Sequence, residues 1–195
     1  MVRYILVTSI AILVACPLFA DDKKPAFDMN KAMEAMAKHA EPGPHHKKLD
    51  PMIGDWTFKA MFTMDPSMPA MEMTGTSTRK WILDGRFMQD DAKGDSGMPF
   101  RGLGFNGYDN ALKKYTASWM DSMTTSISSS TGEVDATGKV FTFWREEFNP
   151  MYGQKVKARD VIRVIDDNHH DMEMYTTPPG GKEFKSGHIK YERKK

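Results

Sequence analysis

The sequence predicts a mainly β protein: a short N-terminal helix and then an antiparallel meander of about ten strands that closes into a barrel. From Gly54 onward apolar and polar residues alternate, so that every second residue is apolar, and this is the period of a half-buried strand. Turn-forming residues separate the apolar runs at hairpin spacing. No helical period interrupts these runs, so consecutive strands are expected to pair as neighbours.

The first strand shows the alternation most clearly, with Trp56 and Phe58 on one face and Thr57 and Lys59 on the other. Turn residues such as Asp84-Gly85 separate nearly every pair of later runs. The later β-rich runs are Met71–Leu83, Arg86–Ala92, Phe100–Tyr108, Lys114–Asp121, Thr125–Val134, Val140–Phe148, Gln154–Ile165, His170–Thr177 and Glu183–Arg193.

We expect the sheet to close because exposed edge strands are unfavourable. A long open meander presents two edge strands whose unpaired backbone groups invite aggregation, and closure removes both. The interior of a barrel of about ten strands is slightly wider than the space that its inward side chains fill. The predicted fold is therefore one that encloses a cavity.

Residues 1–20 are interpreted as an export leader. Arg3 precedes an apolar run from Tyr4 to Ala15, which is shorter than the ~20 residues that span a bilayer. Two endings remain open: cleavage after Ala20, or lipidation of Cys16 within the lipobox-like Leu13-Val14-Ala15-Cys16. The protein is therefore expected to be periplasmic or secreted, or a membrane-anchored lipoprotein, without a membrane span.

The segment 21–48 is expected to hold a helix and a linker ahead of the barrel domain, 49–195. Apolar residues with a helical period predict a helix from roughly Asp28 to Ala40, which Pro42-Gly43-Pro44 ends. The apolar stripe of this helix consists of Met29, Ala32, Met33, Met36 and Ala37.

Charge and cysteine content exclude several classes of function. Of the 27 basic residues one, Arg3, lies in the leader, and the other 26 balance the 26 acidic residues. A neutral chain without a basic block lacks the electrostatic character of a nucleic-acid-binding protein. Because Cys16 is the only cysteine, disulfides, thiol catalysis and cysteine-ligated metals are excluded downstream of it.

Gly54-Asp55-Trp56 at the first strand and Arg193 near the end of the last resemble the Gly-x-Trp and terminal arginine of calycin-like barrels such as lipocalins. That resemblance implies that Trp56 plugs one end of the barrel and that Arg193 packs across its indole. Such packing gains cation–π and stacking energy.

A second resemblance covers roughly Leu49 to Lys194 and concerns the exported bacterial family called domain of unknown function 1579. It implies a calycin-like barrel and no activity. The blocks that carry it are Gly54-Asp55-Trp56, Leu83-Asp84-Gly85-Arg86, Gly107-Tyr108-Asp109, Trp119-Met120-Asp121-Ser122, Asp135 to Gly138 and Tyr191-Glu192-Arg193.

Aromatic residues on the predicted strands supply candidates for a ligand-binding lumen. Trp119 and Asp121 share a strand face, so the indole would stack on a flat ligand while the carboxylate accepts its hydrogen bond. The alternative is a core tryptophan and a turn-capping aspartate. The candidate ligand-binding residues are Trp81, Tyr108, Trp119, Asp121, Trp144 and Tyr175.

Arg145 and Glu147 share a strand face two residues apart. They are expected to form a solvated charge ladder with Lys157, Arg159 or Arg163 of the next strand. Catalytic residues are not assigned anywhere in the chain.

Methionine is unusually abundant, with 17 residues in the chain. Thioethers are soft ligands that favour Cu(I), whereas methionine otherwise packs adaptively in cores and at pocket mouths. An alternative hypothesis is therefore Cu(I) or Ag(I) binding by Met64, Met68, Met71 and Met73 of the first hairpin.

The leading hypothesis for function is a non-enzymatic, extracytoplasmic protein that binds a small apolar or flat molecule in its lumen. Copper binding by the methionine-rich hairpin is one alternative. The other is an enzyme acting on a small molecule, with Asp121 and a lumenal arginine or histidine as its polar groups.

Overall fold

The computed structural model describes residues 27–96 and 99–195. The described chain begins with helix α1, Met29–Ala40, which confirms the predicted N-terminal helix. The carboxylate of Asp28 caps it by accepting hydrogen bonds from two backbone N–H groups of the first turn, at 3.0 and 3.2 Å. The side chains of α1 remain exposed or half-exposed, so this helix does not lie on the barrel as a lid.

Ten antiparallel strands form the barrel within the described residues, and each consecutive pair is hydrogen-bonded. The strands are β1 Gly54–Phe62, β2 Met71–Ile82, β3 Phe87–Gly94, β4 Phe100–Asp109, β5 Lys114–Asp121, β6 Ser128–Val134, β7 Val140–Asn149, β8 Gln154–Asp166, β9 His169–Thr177 and β10 Phe184–Arg193. β1 pairs with β10 over seven residue pairs, from Trp56 opposite Arg193 to Phe62 opposite Gly187. The predicted closed meander is confirmed.

Trp56 and Arg193 meet at one end of the barrel. The guanidinium carbon of Arg193 lies 4.2 Å from the centroid of the Trp56 ring, and the indole is fully buried. The same guanidinium donates to the backbone carbonyls of Pro51, Ile53 and Asp167 at 2.9, 2.7 and 2.6 Å. Arg193 therefore joins the last strand to the chain before the first strand and to the β8–β9 turn.

Gly54 is required where the guanidinium approaches the backbone of β1. Its φ angle is +128°, a conformation that residues with a Cβ rarely adopt. A Cβ at this position would also lie 2.3 Å from Nη1 of Arg193. The glycine of the Gly-x-Trp motif thus makes room for the arginine that covers the tryptophan.

A short plug closes the barrel beside this contact. It consists of residues 43–53, with helix α2 at Pro44–Lys47, in the predicted linker, and a 3-10 helix at Asp50–Met52, at the start of the predicted barrel domain. Leu49 and Met52 of the plug are almost fully buried in the core. The Met52 carbonyl accepts from Nε1 of Trp56 at 3.0 Å, so the plug is bonded to the barrel as well as packed in it.

The two ends of the barrel differ in packing, and we call the plugged end the closed end. Strand register places Phe58, Tyr115 and Phe141 on inward positions near it, where they are buried. Inward positions toward the opposite end, such as Trp119 and Met174, are only half-buried. We call that opposite end, at loops 63–70 and 122–127, the open end.

The bonds of Arg193 predict the effect of replacing it by lysine. The ammonium group of lysine cannot donate hydrogen bonds to three separated carbonyls and stack on the indole at the same time. We expect Arg193→Lys to lower the free energy of unfolding, measured by urea denaturation, by roughly 2 kcal/mol. Arg101→Lys is the control, because the Arg101 side chain is exposed and contacts a single carboxylate, that of Asp91. Equal stability of the two variants would contradict this account of closure.

Candidate functional site

The inner wall of the open half is apolar on one side and polar on the other. The apolar side is formed by aromatic and methionine side chains of β1, β2, β4 and β9. The polar side is formed by side chains of β6 to β8 and centres on Arg145. Because several inward side chains here, such as Trp119, Met172 and Met174, keep solvent exposure, this half of the interior is the candidate site.

Trp119 lies flat along the wall because β4 carries glycines beneath it. A Cβ on Gly102 would meet the indole at 2.2 Å, and one on Gly104 would meet it at 2.9 Å. The ring also stacks on Phe100, with 6.4 Å between centroids. Glycine inside a strand often marks a site that another group approaches closely. The glycines of β4 allow the Trp119 indole to approach the backbone of that strand in this way.

Asp121 holds the indole in place. Its Oδ2 accepts a hydrogen bond from Nε1 of Trp119 at 2.9 Å, and its Oδ1 accepts from the backbone N–H of Met123. The sequence analysis placed these two residues on one face, and the structure brings their side chains into contact. Their role toward a ligand stays a prediction.

A charged cluster of Arg145, Glu147 and Asp160 projects into the same half of the interior; we call it the Arg145 cluster. Nε of Arg145 donates to Glu147 at 2.7 Å, and Nη1 donates to Oδ2 of Asp160. Ser128 donates to the Glu147 carboxylate at 3.2 Å. The expected solvated ladder is corrected: Arg145 bonds to a buried aspartate inside the barrel.

Sequence reasoning missed Asp160, although the sequence contains a signal for it. On β8 the inward positions Val156, Ala158 and Val164 are apolar, and Asp160 interrupts that series. The side chain is 8% exposed. Its Oδ1 has no hydrogen-bond partner within the described residues, and burial raises the pKa of the carboxyl against the opposing effect of Arg145.

A second polar network, in the closed half, is buried, and within the described residues only Nδ1 of His170 lacks a partner in it. Arg79 donates to Asp90 at 2.8 Å and to Nε2 of His170 at 2.5 Å, and Ser77 donates to Asp90 at 2.6 Å. The His170 ring stacks on Tyr191 with 4.4 Å between centroids. Burial, together with the positive charge of Arg79, lowers the pKa of His170 to about 2, so the ring is neutral in the folded protein.

Trp81 and Tyr108 lie at the closed end, away from Trp119. Nε1 of Trp81 donates to Asp50 of the plug at 2.9 Å, and the Tyr108 ring stacks on His45 with 4.2 Å between centroids. Both side chains thus contact the plug. The structure does not bring these two candidate residues together with Trp119 and Asp121.

Trp144 and Tyr175 lie on the outer face of the barrel. Trp144 follows the buried Phe143 on β7 and is 47% exposed. Tyr175 packs beneath the guanidinium of Arg159, with 4.0 Å from its carbon to the ring centroid. Neither side chain can contact a molecule inside the barrel, so their expected role in the lumen is corrected.

The outer surface carries depressions of its own. One, of about 430 Å³, lies over β3 to β7 and includes Trp144, Phe87 and Ser129 in its lining. A smaller one of about 190 Å³ lies over β2 and β3. Trp119 and Arg145 occupy inward positions of the lumen, so a lumenal ligand requires adaptable neighbours such as methionine.

The four methionines of the copper hypothesis lie in one hairpin but in two environments. Met64, Met68 and Met71 are each 50% exposed, in or beside the loop between β1 and β2. Met73 lies on an inward position and packs in the core beside Phe100. A shared copper site would require Met73 to leave that packing, and the hypothesis stays a prediction.

The family model described as "Protein of unknown function (DUF1579)" matches residues 41–193. The chain belongs to this family. The match begins just before the plug and ends at Arg193, so plug, barrel and closing arginine all fall within the DUF1579 region. The resemblance drawn from the sequence blocks is thereby confirmed.

Solved structures support the same fold for this DUF1579 protein. The crystal structure of Rv2717c from M. tuberculosis matches with a TM-score of 0.57 at 13% identity, covering 80% of this chain and 100% of that one. A DUF3598 protein of unknown function from Nostoc punctiforme covers similar shares, 78% and 100%, at 6% identity, but its TM-score of 0.23 carries no argument. The comparison with curated proteins gives no match.

The predicted leader, residues 1–20 with Cys16, lies outside the described residues. Among the helices of the described ranges, each is too short or too polar to cross a membrane.

The buried His170 predicts a pH dependence of stability. An unfolded histidine protonates near pH 6.5, whereas the folded ring stays neutral until about pH 2. The unfolded state therefore gains a proton first, and the folded state loses stability as the pH falls through 6.5. Between pH 7 and pH 5 this should cost about 2 kcal/mol of unfolding free energy.

Urea denaturation of His170→Gln at both pH values isolates this contribution, because the glutamine oxygen accepts from Arg79 but does not titrate. His39→Gln, at an exposed position of α1, should keep the pH dependence of the unchanged protein. If His170→Gln retains the full loss on acidification, His170 is not the titrating group.

Proposed function

We propose that this DUF1579 protein is an exported, non-enzymatic protein that binds a small, largely flat or apolar molecule in the open half of its barrel. The observation that carries the proposal is the asymmetry of the interior. One end is plugged by Leu49 and Met52, whereas inward side chains toward the other end keep solvent exposure. A barrel that needed only a core would gain by burying both ends.

The wall of the open half supports a flat ligand. Trp119 and Phe100 stack along one side, and the indole is oriented by Asp121 rather than free to rotate. A rigid aromatic surface contributes contact area at little entropic cost. Met172 and Met174 of β9 occupy inward positions and are half-buried. Their flexible side chains would repack around a molecule that enters.

Export is part of the proposal and rests on the sequence. The apolar run after Arg3 supports a leader, and the fold contains buried networks that need no disulfide. An exported protein accounts for the leader, and a fold that needs no disulfide is compatible with export. Cleavage after Ala20 and lipidation of Cys16 are both compatible with it.

Two adjacent serines on β6 provide a matched test of where a ligand binds. Both serines border the larger outer depression, but the strand register places Ser130 on an inward position, paired with Ala117, and Ser129 on the exposed outer face. Phenylalanine at 130 would fill the lumen, and phenylalanine at 129 would fill the outer depression. The probe is N-phenyl-1-naphthylamine, whose fluorescence rises in apolar surroundings.

We expect the unchanged protein and Ser129→Phe to bind the probe equally, and Ser130→Phe to bind it roughly tenfold more weakly or worse. Circular dichroism would verify that both variants fold. Loss of binding in Ser129→Phe alone would move the site to the outer surface and overturn the proposal. Native mass spectrometry of protein from its own source should show a retained molecule that Ser130→Phe lacks.

A further inference from the structure

We infer that the open half of the barrel selects a ligand that carries a positive charge, such as a protonated amine, on its flat or apolar body. This inference rests on the proposed function and adds the chemical class of the ligand. Three features of the interior lead to it: the balance of inward charges, an unpaired buried oxygen and the electron-rich indole beside it.

The inward charges of the open half do not balance. Among the described residues, the strand register places one cation there, Arg145, and three carboxylates, those of Asp121, Glu147 and Asp160. In the closed half Arg79 is matched by Asp90, and the second cation, Arg193, bonds to backbone carbonyls at the far end of the barrel from this site. The site therefore carries about two negative charges without counter-ions, and charges in a partly desolvated interior interact more strongly than in water.

Arg145 does not present a free cation to a ligand. Its guanidinium is 10% exposed and divides its hydrogen bonds between Glu147 and Asp160. An anionic ligand would have to displace one of these carboxylates and would leave a carboxylate unpaired. The cluster thus disfavours anions even though it contains an arginine.

Asp160 supplies the unpaired acceptor. Oδ2 binds Arg145, but Oδ1 is buried and has no partner in the described chain. An unsatisfied buried carboxylate oxygen is costly, and a ligand N–H that bonds to it removes that cost. A neutral hydroxyl could also bond to this oxygen, but only a charged donor adds Coulombic attraction to the excess carboxylates of the site.

Trp119 strengthens the preference for a cation. The electron-rich face of an indole attracts ammonium groups, and the contact gains strength when it is desolvated. One face of the ring is occupied by the glycines of β4, so a ligand would meet the opposite face. Asp121, bonded to the indole N–H, increases the negative potential on that side.

Three probes of nearly identical shape separate charge from apolar contact: 1-naphthylmethylamine, protonated at pH 7, 1-naphthalenemethanol, which is neutral, and 1-naphthoate, an anion. Their affinities are measured by displacement of N-phenyl-1-naphthylamine from the purified protein. We expect the amine to bind about tenfold more tightly than the alcohol, and the naphthoate to bind more weakly than both.

Asp160→Asn should remove most of the tenfold preference and leave the affinity for the alcohol unchanged. Arg145 keeps its bonds to Glu147 in this variant, so the cluster retains a paired cation. Asp121→Asn, nearer the open end, is the second variant and should reduce the preference in part. Glu146→Gln is the matched control, because Glu146 is exposed on the outer face of β7.

The outcomes distinguish this inference from the function on which it rests. If the alcohol binds in the lumen by the Ser130→Phe criterion and the amine gains no advantage, charge selection is overturned and lumenal binding stands. If the preference survives in both Asp160→Asn and Asp121→Asn, it arises elsewhere and the inference is likewise overturned. If none of the probes binds, the proposed function fails together with the inference.

Discussion

The packing of Arg193 against Trp56 is the contact on which the architecture depends. A ten-stranded meander must join its first and last strands, and these residues are direct register partners across that seam. The guanidinium also donates to carbonyls of the plug, so one side chain contacts both the seam that closes the sheet and the plug that seals its end. Because the indole is completely buried, its N–H requires an acceptor, which the Met52 carbonyl provides.

This sealed end gives the interior its two different halves. Near the seam, Arg79, Asp90 and His170 satisfy most of one another's polar groups, with His170 neutral between aromatic rings. Such a network specifies a unique packing and leaves few hydrogen-bonding groups available to a ligand. Toward the open end the Arg145 cluster is incompletely satisfied, and Asp160 keeps a buried oxygen without a partner. Among the described residues each half keeps one such atom, Nδ1 of His170 and Oδ1 of Asp160, so the half-exposed inward side chains and the excess of carboxylates identify the half that is suited to binding.

The candidate site was predictable in part, and the reasons are physical. Trp119 and Asp121 stand two residues apart on one strand, so their shared face follows from the β period alone. Trp144 and Tyr175 were assigned by residue type, yet each alternates with inward neighbours and therefore lies outside. Inward and outward parity shifts at bulges such as the one between Lys185 and Gly187, which a sequence does not reveal.

The sequence by itself determined the β class and most strand boundaries, because alternation and turn residues act over a few residues. The contact between Trp56 and Arg193 was implied by the resemblance to calycin-like barrels and not by a local pattern. Only the tertiary structure decided that residues 43–53 form a plug, since their burial depends on strands far along the chain. It also decided that Arg145 and Asp160 meet inside the barrel. Their pairing depends on the register between β7 and β8 and on which face the closed sheet turns inward, and both are long-range properties.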